Sequence, residues 1–519
     1  MSDKYKVKIN FCFFCHGVLG VTAQKVDNWV SENNKNIPRE PLMRALHIVK
    51  ENPNKNSDEF AISESKLEAA YVKLSEYLEQ VKETKGRIGF EAHEAAVTRL
   101  VYKLGQAAMS DVLTHYDTKT DVISIGDQTY RCKHKAVKTY QTGLGAVEIN
   151  RHVYANRKKG GDGRAVCPLE LQAGIIEGYW TPMAAKNAMW GLAHLTAQEV
   201  EDMLLQFGTM NPSRSSLDRL PKALNQHWEP QTIAYHDELI ASESIPKNAR
   251  NIAVSLDGVM VGMKPQISAT EKPASMKTEW KEASCGTISF FDADGERLST
   301  IQYGRMPEHK KATLKTILRK HTEAILHQRP ELKLIHLADG AQDNWAFFDE
   351  DMPLGFQLAD FYHASEHLKA ALDAAYPKNA GKSRLKFEQY KIVLRDELGG
   401  INKVLRALRH LRNQHKDNVI IAANVTYFTN NQHRMKYAEA KNNNYPIGSG
   451  IVEASCKTLV GQRLKRSGMS WQRNGGQGIL TFRSLIKSQR FDKAWGIIAA
   501  HYKYNVIEHK NVINLIVQN

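Results

Sequence analysis

Asp257, Asp339 and Glu453 are the residues in this sequence whose surroundings call for chemistry. Asp257 stands inside the apolar run Asn251-Ile-Ala-Val-Ser-Leu256-Asp257-Gly258-Val-Met-Val261. Asp339 closes a second apolar run, Leu332-Lys-Leu-Ile-His-Leu-Ala338. A carboxylate within or at the end of a buried strand is costly unless it binds something. Glu453 follows the Pro/Gly-rich stretch Tyr445-Pro-Ile-Gly-Ser-Gly450 and opens a helix-compatible run. Three such carboxylates can hold two Mg²⁺ ions about 3.5–4 Å apart. One ion would activate water or a 3′-hydroxyl, and the other would stabilise the leaving oxygen of an in-line displacement at phosphorus. Mg²⁺ suits hard oxygen ligands and a protein shell left open for a phosphate, with Mn²⁺ able to substitute. The structural alternatives are a strand-end Asp-Gly turn for Asp339 and a helix-dipole partner for Glu453.

Downstream of Glu453 the charge becomes one-sided. From Ala454 to Phe491 there are eight cations (Lys457, Arg463, Lys465, Arg466, Arg473, Arg483, Lys487 and Arg490) and no Asp or Glu. If the helix is continuous, Lys457 lies one turn beyond Glu453 on the same face. Lys457, Arg463, Lys465, Arg466 and Arg473, with Trp471 among them, are the expected contacts to a polyanionic backbone. A solvated basic helix face is the alternative. The whole chain carries 71 Lys and Arg against 56 Asp and Glu, a net charge of +15. Such a surplus favours a polyanion. No apolar run approaches a membrane span and the N-terminus has no signal-peptide core, so nucleic acid in the cytoplasm is the expected partner. Six scattered cysteines suit free thiols in a reducing compartment. Cys12, Cys15 and His16 invite a zinc reading, but Cys132, His134 and Cys167 make a poor second half, and buried thiols are the default.

The elements that must carry these residues are legible from periodicity. Ser65–Val81 and Phe90–Leu113 repeat apolar residues at helical spacing. Residues 121–155 alternate around Gly126, Gly143 and Gly145 as a small β-meander, followed by a basic loop at 157–164. Residues 168–227 return to helix. Thr181-Pro182 opens one helix. Thr196 and Glu199 form a capping box for another at about 197–207, stopped by Gly208. The helix after Ser213 would complete a helix-turn-helix with Arg214 and Arg219 facing DNA, or else an ordinary helical hairpin. Strands at 251–261, 284–291 and 297–303, a helix at 310–328 and the strand at 332–338 describe the front half of a ribonuclease-H-like sheet. Asp360, His363 and His367 can share one helix face, in a structural or supporting role. Residues 369–440 read as basic helices. There Ile401, Val404, Leu405, Leu408 and Leu411 form the packing stripe, beside Arg406, Arg409 and Arg412. The expected fold is thus an α/β ribonuclease-H-like catalytic core (249–368 and 441–490) with an α-helical insertion (369–440). It is preceded by a mainly helical region (1–120), a small β-meander (121–165) and a helical DNA-binding region (166–248), and followed by a tail (491–519).

The segments Ser255-Leu-Asp257-Gly-Val-Met-Val, Trp280-Lys-Glu282, Leu337-Ala-Asp339-Gly-Ala, Asp360-Phe-Tyr-His363 with Glu366-His367-Leu368, and Gly448-Ser-Gly-Ile-Val-Glu453-Ala-Ser-Cys-Lys457 running on to Trp471 resemble bacterial insertion-sequence transposases of the ISKra type, which have a DDE catalytic core. The resemblance spans roughly residues 90–490 and is strongest after 250. It implies that Asp257, Asp339 and Glu453 form the metal-binding triad and that Asp360 and His363 are auxiliary. It further implies Mg²⁺-dependent DNA strand cleavage and transfer, terminal inverted repeats of double-stranded DNA as the bound sequence, and a homo-oligomer on DNA in the bacterial nucleoid. The sequence departs from the family at Cys132-x-His134, which does not make the cleaner Cys-rich ribbon of relatives, and at the tail after 491. A ribonuclease-H-like nuclease without transposition, or an inactive DNA-binding relic, would use the same residues.

Overall fold

A computed structural model of the chain describes residues 60–83, 89–156, 165–208, 210–265 and 278–509, with side chains from residue 66 onward. The chain divides into two compact units, residues 1–66 and 67–519, and nearly all of the first lies outside the described residues. So do Cys12, Cys15 and His16, the basic loop at 157–164 and the apolar tail at 512–517.

The expected long helices are α1 (Phe60–Glu83) and α2 (Phe90–His115). An antiparallel sheet follows, made of β1 (Val122–Ile125), β2 (Gln128–Thr142), β3 (Gly145–Ala155) and β4 (Ala165–Val166). Gly126 adopts φ +54°, a left-handed turn conformation that costs glycine little, and it joins β1 to β2. This sheet gains a fifth strand from the far end of the chain. Residues Ile507–His509, here β10, pair antiparallel with β1 and give the order β10-β1-β2-β3-β4.

A helical layer comes next: α3 (Pro168–Ala173), α4 (Pro182–His194), α5 (Ala197–Phe207), α6 (Arg214–Trp228) and α7 (Thr232–Ala241). Pro182 occupies the first turn of α4, where its missing N–H costs nothing. The Thr181 side chain, at the N-cap, makes no cap bond there. The capping box of α5 is present in full, and Gly208 ends that helix at φ +68°.

The second sheet is mixed. It comprises β5 (Asn251–Met263), β6 (Glu279–Phe291), β7 (Arg297–Arg305), β8 (Lys333–Ala338) and β9 (Phe356–Ala359), in the order β7-β6-β5-β8-β9. The first three strands pair antiparallel, while β5–β8 and β8–β9 are parallel. Helix α8 (Ala312–Gln328) buries Leu314, Ile317 and Leu318 against one face, over the side-chain-free position at Gly286. Helix α9 (Gln342–Glu350) follows β8, and α10 (Phe361–Ala375) follows β9.

The inserted helices are α11 (Ala380–Asp396), α12 (Gly400–Gln414), α13 (Val419–Asn431) and α14 (Tyr437–Asn442). As the spacing predicts, α12 buries Ile401, Val404, Leu405, Leu408 and Leu411 and exposes Arg406, Arg409 and Arg412. The chain then returns to the sheet through α15 (Gly450–Ser455), a π-helical turn at Cys456–Gly461 and a short helical turn at Gln462–Leu464. Helices α16 (Arg473–Lys487) and α17 (Phe491–His501) complete the packing. The segment set apart as a tail is therefore shared between two layers. Helix α17 buries Phe491, Trp495 and Ile498, and β10 extends the first sheet.

Helix α16 is buried on every side from Gly475 to Leu485, and glycine makes that enclosure possible. A Cβ at position 478 would run into the carbonyl oxygen of Pro221 on α6. Gly478→Ala is therefore expected to cost about 1–3 kcal/mol of stability, the range for overpacking a core. Denaturant melts of the parent and variant measure this, and coincident midpoints would contradict so close an approach.

Candidate active site

Strands β5 and β8 run parallel and stay in register from Asn251–Lys333 to Val254–His336, beyond which that pairing ends. Asp257 lies just past this point on β5, and Asp339 just past the end of β8. The crevice beyond the carboxyl ends of neighbouring parallel strands is where open α/β sheets place ligands. The Oδ1 atom of Asp257 accepts the backbone N–H of Gly258 at 2.7 Å. Oδ1 of Asp339 accepts from the Ala341 N–H at 3.1 Å and from Nδ2 of Asn344 at 3.2 Å. The same amide group of Asn344 lies 3.5 Å from the Leu256 carbonyl, so this buried side chain ties the two strand ends together. The indole of Trp345 donates to the Asp339 carbonyl at 2.7 Å. Burial pushes the Asp257 carboxyl above the ordinary carboxylate range, and the charge of Asp339 pushes it further. The Gly258 N–H, the Cys456 thiol and Lys311 pull the other way.

Glu453 does not join these two acids. Its side chain is 58% exposed and pairs with Lys457 at 2.7 Å, four residues on. Among the described residues, no three His, Cys, Asp or Glu side chains lie close enough to share a metal ion. The expected three-carboxylate cluster is thus two carboxylates plus a third turned to solvent. The segment that follows Glu453 nevertheless reaches the site. Cys456, at the start of the π turn, interacts with Asp257 and Cys285, and its thiol is pushed up by the hydrogen bond with Cys285 and by burial. The helix that opens before Glu453 is therefore not continuous but passes into a π turn, and such turns cluster at functional sites.

Asp360 is a clamp. Its Oδ1 caps α10 through the His363 N–H at 2.7 Å, and its Oδ2 accepts the Ser449 N–H. It therefore fixes the Gly-rich loop directly before Glu453. Nε2 of His363 lies 3.3 Å from Nε2 of His367, whose Nδ1 meets Asn424 Oδ1 at 2.7 Å. The ring of His367 stacks on Tyr427 at 3.7 Å. Tyr427 comes from the inserted helix α13 and lies against Gly340, where a Cβ would strike its ring. Its buried hydroxyl has no hydrogen-bond partner among the described residues. Burial raises its pKa, and the charges of Asp360 and Asp339 add to the shift. The insertion thus touches the site, which no spacing in the sequence announces.

Lys311 and Glu282 also border the site. Nζ of Lys311 lies 3.0 Å from Glu282 Oε1 and 3.4 Å from Asn344 Oδ1. Lys310 and Lys311 adopt φ +50° and +55°, two successive left-handed residues without glycine. Such a conformation costs about 1–2 kcal/mol per residue. Glu282 lies over Gly258, where any Cβ would collide with its carboxylate.

The expected DNA contacts divide by environment. Lys457, Lys465 and Arg473 are exposed. Arg466 is also exposed but makes two hydrogen bonds to Glu199 at 2.6 Å. Arg463 is only 3% exposed. Its Nε donates to the Leu192 carbonyl at 3.0 Å, and burial lowers its pKa to about 10. Arg483 is buried too and donates to the carbonyls of Ala193 and Thr458. Arg463 is thus a structural cation rather than a phosphate contact. Trp471 is held similarly, its indole bonded to the Leu464 carbonyl at 2.9 Å and its backbone N–H to Gly262 O at 2.9 Å. It packs a loop and is not a free stacking surface. Arg214 and Arg219 are exposed on α6, whose other face buries Leu217, Leu220, Leu224 and Trp228. Cys132 sits beside a strand irregularity at Cys132/His134, and neither residue belongs to a described metal cluster.

No protein-family model matches the chain, and no curated protein matches it. Among solved structures, the chain is similar to the "Drosophila P element transposase strand transfer complex" at 11% identity. That match covers 63% of this chain and 82% of the other, with a TM-score of 0.22. A TM-score so low does not establish a shared fold.

The raised pKa of Asp257 has a signed consequence. A carboxyl that binds its proton more tightly when folded weakens folding as pH rises past the unfolded value, and costs nothing once both states are protonated. Asp257→Asn is therefore expected to be more stable than the parent at pH 7, with the gain shrinking as pH falls through the carboxylate range. Thermal melts across pH measure this. A parent as stable as the variant at every pH would contradict the enforced charge.

Proposed function

We propose that this chain is a DNA transposase of the DDE type, similar to those of ISKra-type insertion sequences, with a ribonuclease-H-like core. The carrying observation is the juxtaposition of Asp257 and Asp339 at the ends of neighbouring parallel strands, where burial and the nearby charge of Asp339 disfavour ionisation of Asp257 unless a cation is bound. The order β7-β6-β5-β8-β9, three antiparallel strands followed by two parallel ones, supports the ribonuclease-H-like reading.

The donor set fits Mg²⁺ in part. Two hard carboxylates converge, and Mg²⁺ commonly takes one or two carboxylates and leaves other positions to water and substrate phosphates. Asp257 and Asp339 would hold the metal, and Glu453 would complete the set once it leaves Lys457. When bound, the metal supplies charge neutralisation at phosphorus and a more acidic nucleophile. The remaining work falls to the chain. Asn344 keeps the Asp339 carboxylate aimed, and Asp360 holds the loop that presents Glu453. The Glu453–Lys457 pair is exposed, and such pairs contribute little, so Lys457 exchanges readily onto a backbone phosphate. Lys457, Lys465 and Arg473, with Arg406, Arg409 and Arg412 on α12 and Arg214 and Arg219 on α6, are exposed cations that would face a duplex, and Arg466 would join them once it leaves Glu199. Two copies would handle the two ends of an element together. No helix among the described residues is long and apolar enough to cross a membrane.

The test uses DNA ends taken from the sequence flanking the coding region. Asp257→Asn is expected to bind them as the parent does and to abolish Mg²⁺-dependent cleavage. The parent, given a pre-cut 3′-hydroxyl end, is expected to join it covalently to target DNA. Full cleavage by the variant would sink the reading, and cleavage without joining would leave a nuclease.

A further inference from the structure

We propose that Lys311 receives the phosphodiester at the acid pair, and that Glu282 holds its ammonium until nucleic acid displaces it. This rests on the reading of Asp257 and Asp339 given above and adds a binding residue to it.

The first support is position. Lys311 contacts Glu282 at 3.0 Å and Asn344 Oδ1 at 3.4 Å. Asn344 is the side chain that bonds Asp339 at 3.2 Å and approaches the backbone beside Asp257. The ammonium is therefore one side chain, Asn344, removed from the carboxylate of Asp339, and its charge acts on Asp257. Its side chain is 17% exposed, whereas that of Lys457 is 72% exposed. Lysine is seldom enclosed to that degree without a partner.

The second support is the backbone. An ordinary surface ion pair needs no special conformation, yet Lys310 and Lys311 are both left-handed. Neighbouring bonds hold the turn in this shape. The Glu308 carboxylate accepts the Leu314 N–H at 3.0 Å, and Lys315 reaches Asp343 at 2.8 Å, anchoring the start of α8 to the start of α9. Strain that persists because its surroundings enforce it belongs to sites where a side chain must be presented in one place.

The third support is the partner. Glu282 is 48% exposed, so its pair with Lys311 opens toward solvent and is easily exchanged. A crevice with Asp257, Asp339 and Glu282 would repel a phosphodiester. A compact ammonium among them gives one nonbridging oxygen a point charge to meet.

The experiment uses the full chain and a duplex of the flanking end sequence, with binding read in Ca²⁺ over a range of salt and cleavage read in Mg²⁺. Lys311→Met is expected to weaken binding about tenfold, the value of one charge-assisted hydrogen bond. It should also reduce the salt slope by about one, as for the loss of one phosphate contact. Lys311→Arg should recover the slope. Glu282→Gln keeps the ammonium and removes its competitor, so it should bind the duplex more tightly than the parent. If Lys311→Met binds and cleaves as the parent does while Asp257→Asn is inactive, the assignment of Lys311 fails and that of the acids stands. If Lys311→Met and Glu282→Gln both lose folding stability and neither changes the salt slope, the pair is a structural strut and the proposal is overturned. Cleavage by Asp257→Asn would instead remove the reading on which Lys311 depends.

Discussion

Two carboxylates held at the ends of adjacent parallel strands repel each other, and much of the surrounding structure answers that repulsion. Parallel pairing of β5 with β8 brings Asp257 and Asp339 to one crevice. Burial then makes ionisation of Asp257 costly. The compensations are local and specific. A backbone N–H meets Asp257, an N–H and an amide meet Asp339, and an enclosed lysine stands nearby. None of these is needed to hold a sheet together. A core built for stability alone would place apolar side chains at the two strand ends.

The other half of the site is delivered by a loop. Asp360 joins the start of α10 to Ser449, so the position of the Gly-rich loop depends on a strand end next to Asp339. The inserted helices are part of the same construction. Tyr427 packs on Gly340 and under His367, linking α13 to the acid crevice. A segment of basic helices between two pieces of one sheet therefore has two faces with different work. One is apolar and closes the core, and the other carries Arg406, Arg409 and Arg412 to solvent.

Much of this was legible in the sequence because period and punctuation are local. The alternation at 121–155, the apolar runs at 251–261 and 332–338, the capping box at Thr196 and the stripe on α12 each appear as elements of the kind expected. The direction of Glu453 was not legible. A Lys four residues later favours a surface pair, and nothing in the letters announces a π turn. Counting cations also misled. Arg463 and Arg483 look like a DNA-facing run, yet they donate to Leu192 and Ala193, the free carbonyls at the C-terminal end of α4. Charge in a sequence carries no record of the carbonyls that await it. Lys311, Asn344 and Tyr427 were missed because each meets the acids only through tertiary packing. Strand β10 was missed because Ile507–His509 is short and exposed and pairs along a single edge.

In the proposed function, Asp257 and Asp339 together form a divalent-cation site before DNA arrives. Titrating the DNA-free protein with Mn²⁺, followed by the loss of the free-ion electron paramagnetic resonance signal, tests it directly. Binding by the parent that disappears in both Asp257→Asn and Asp339→Asn, but persists in Glu453→Gln, is the expected result. Equal Mn²⁺ uptake by the parent and both aspartate variants would contradict the claim.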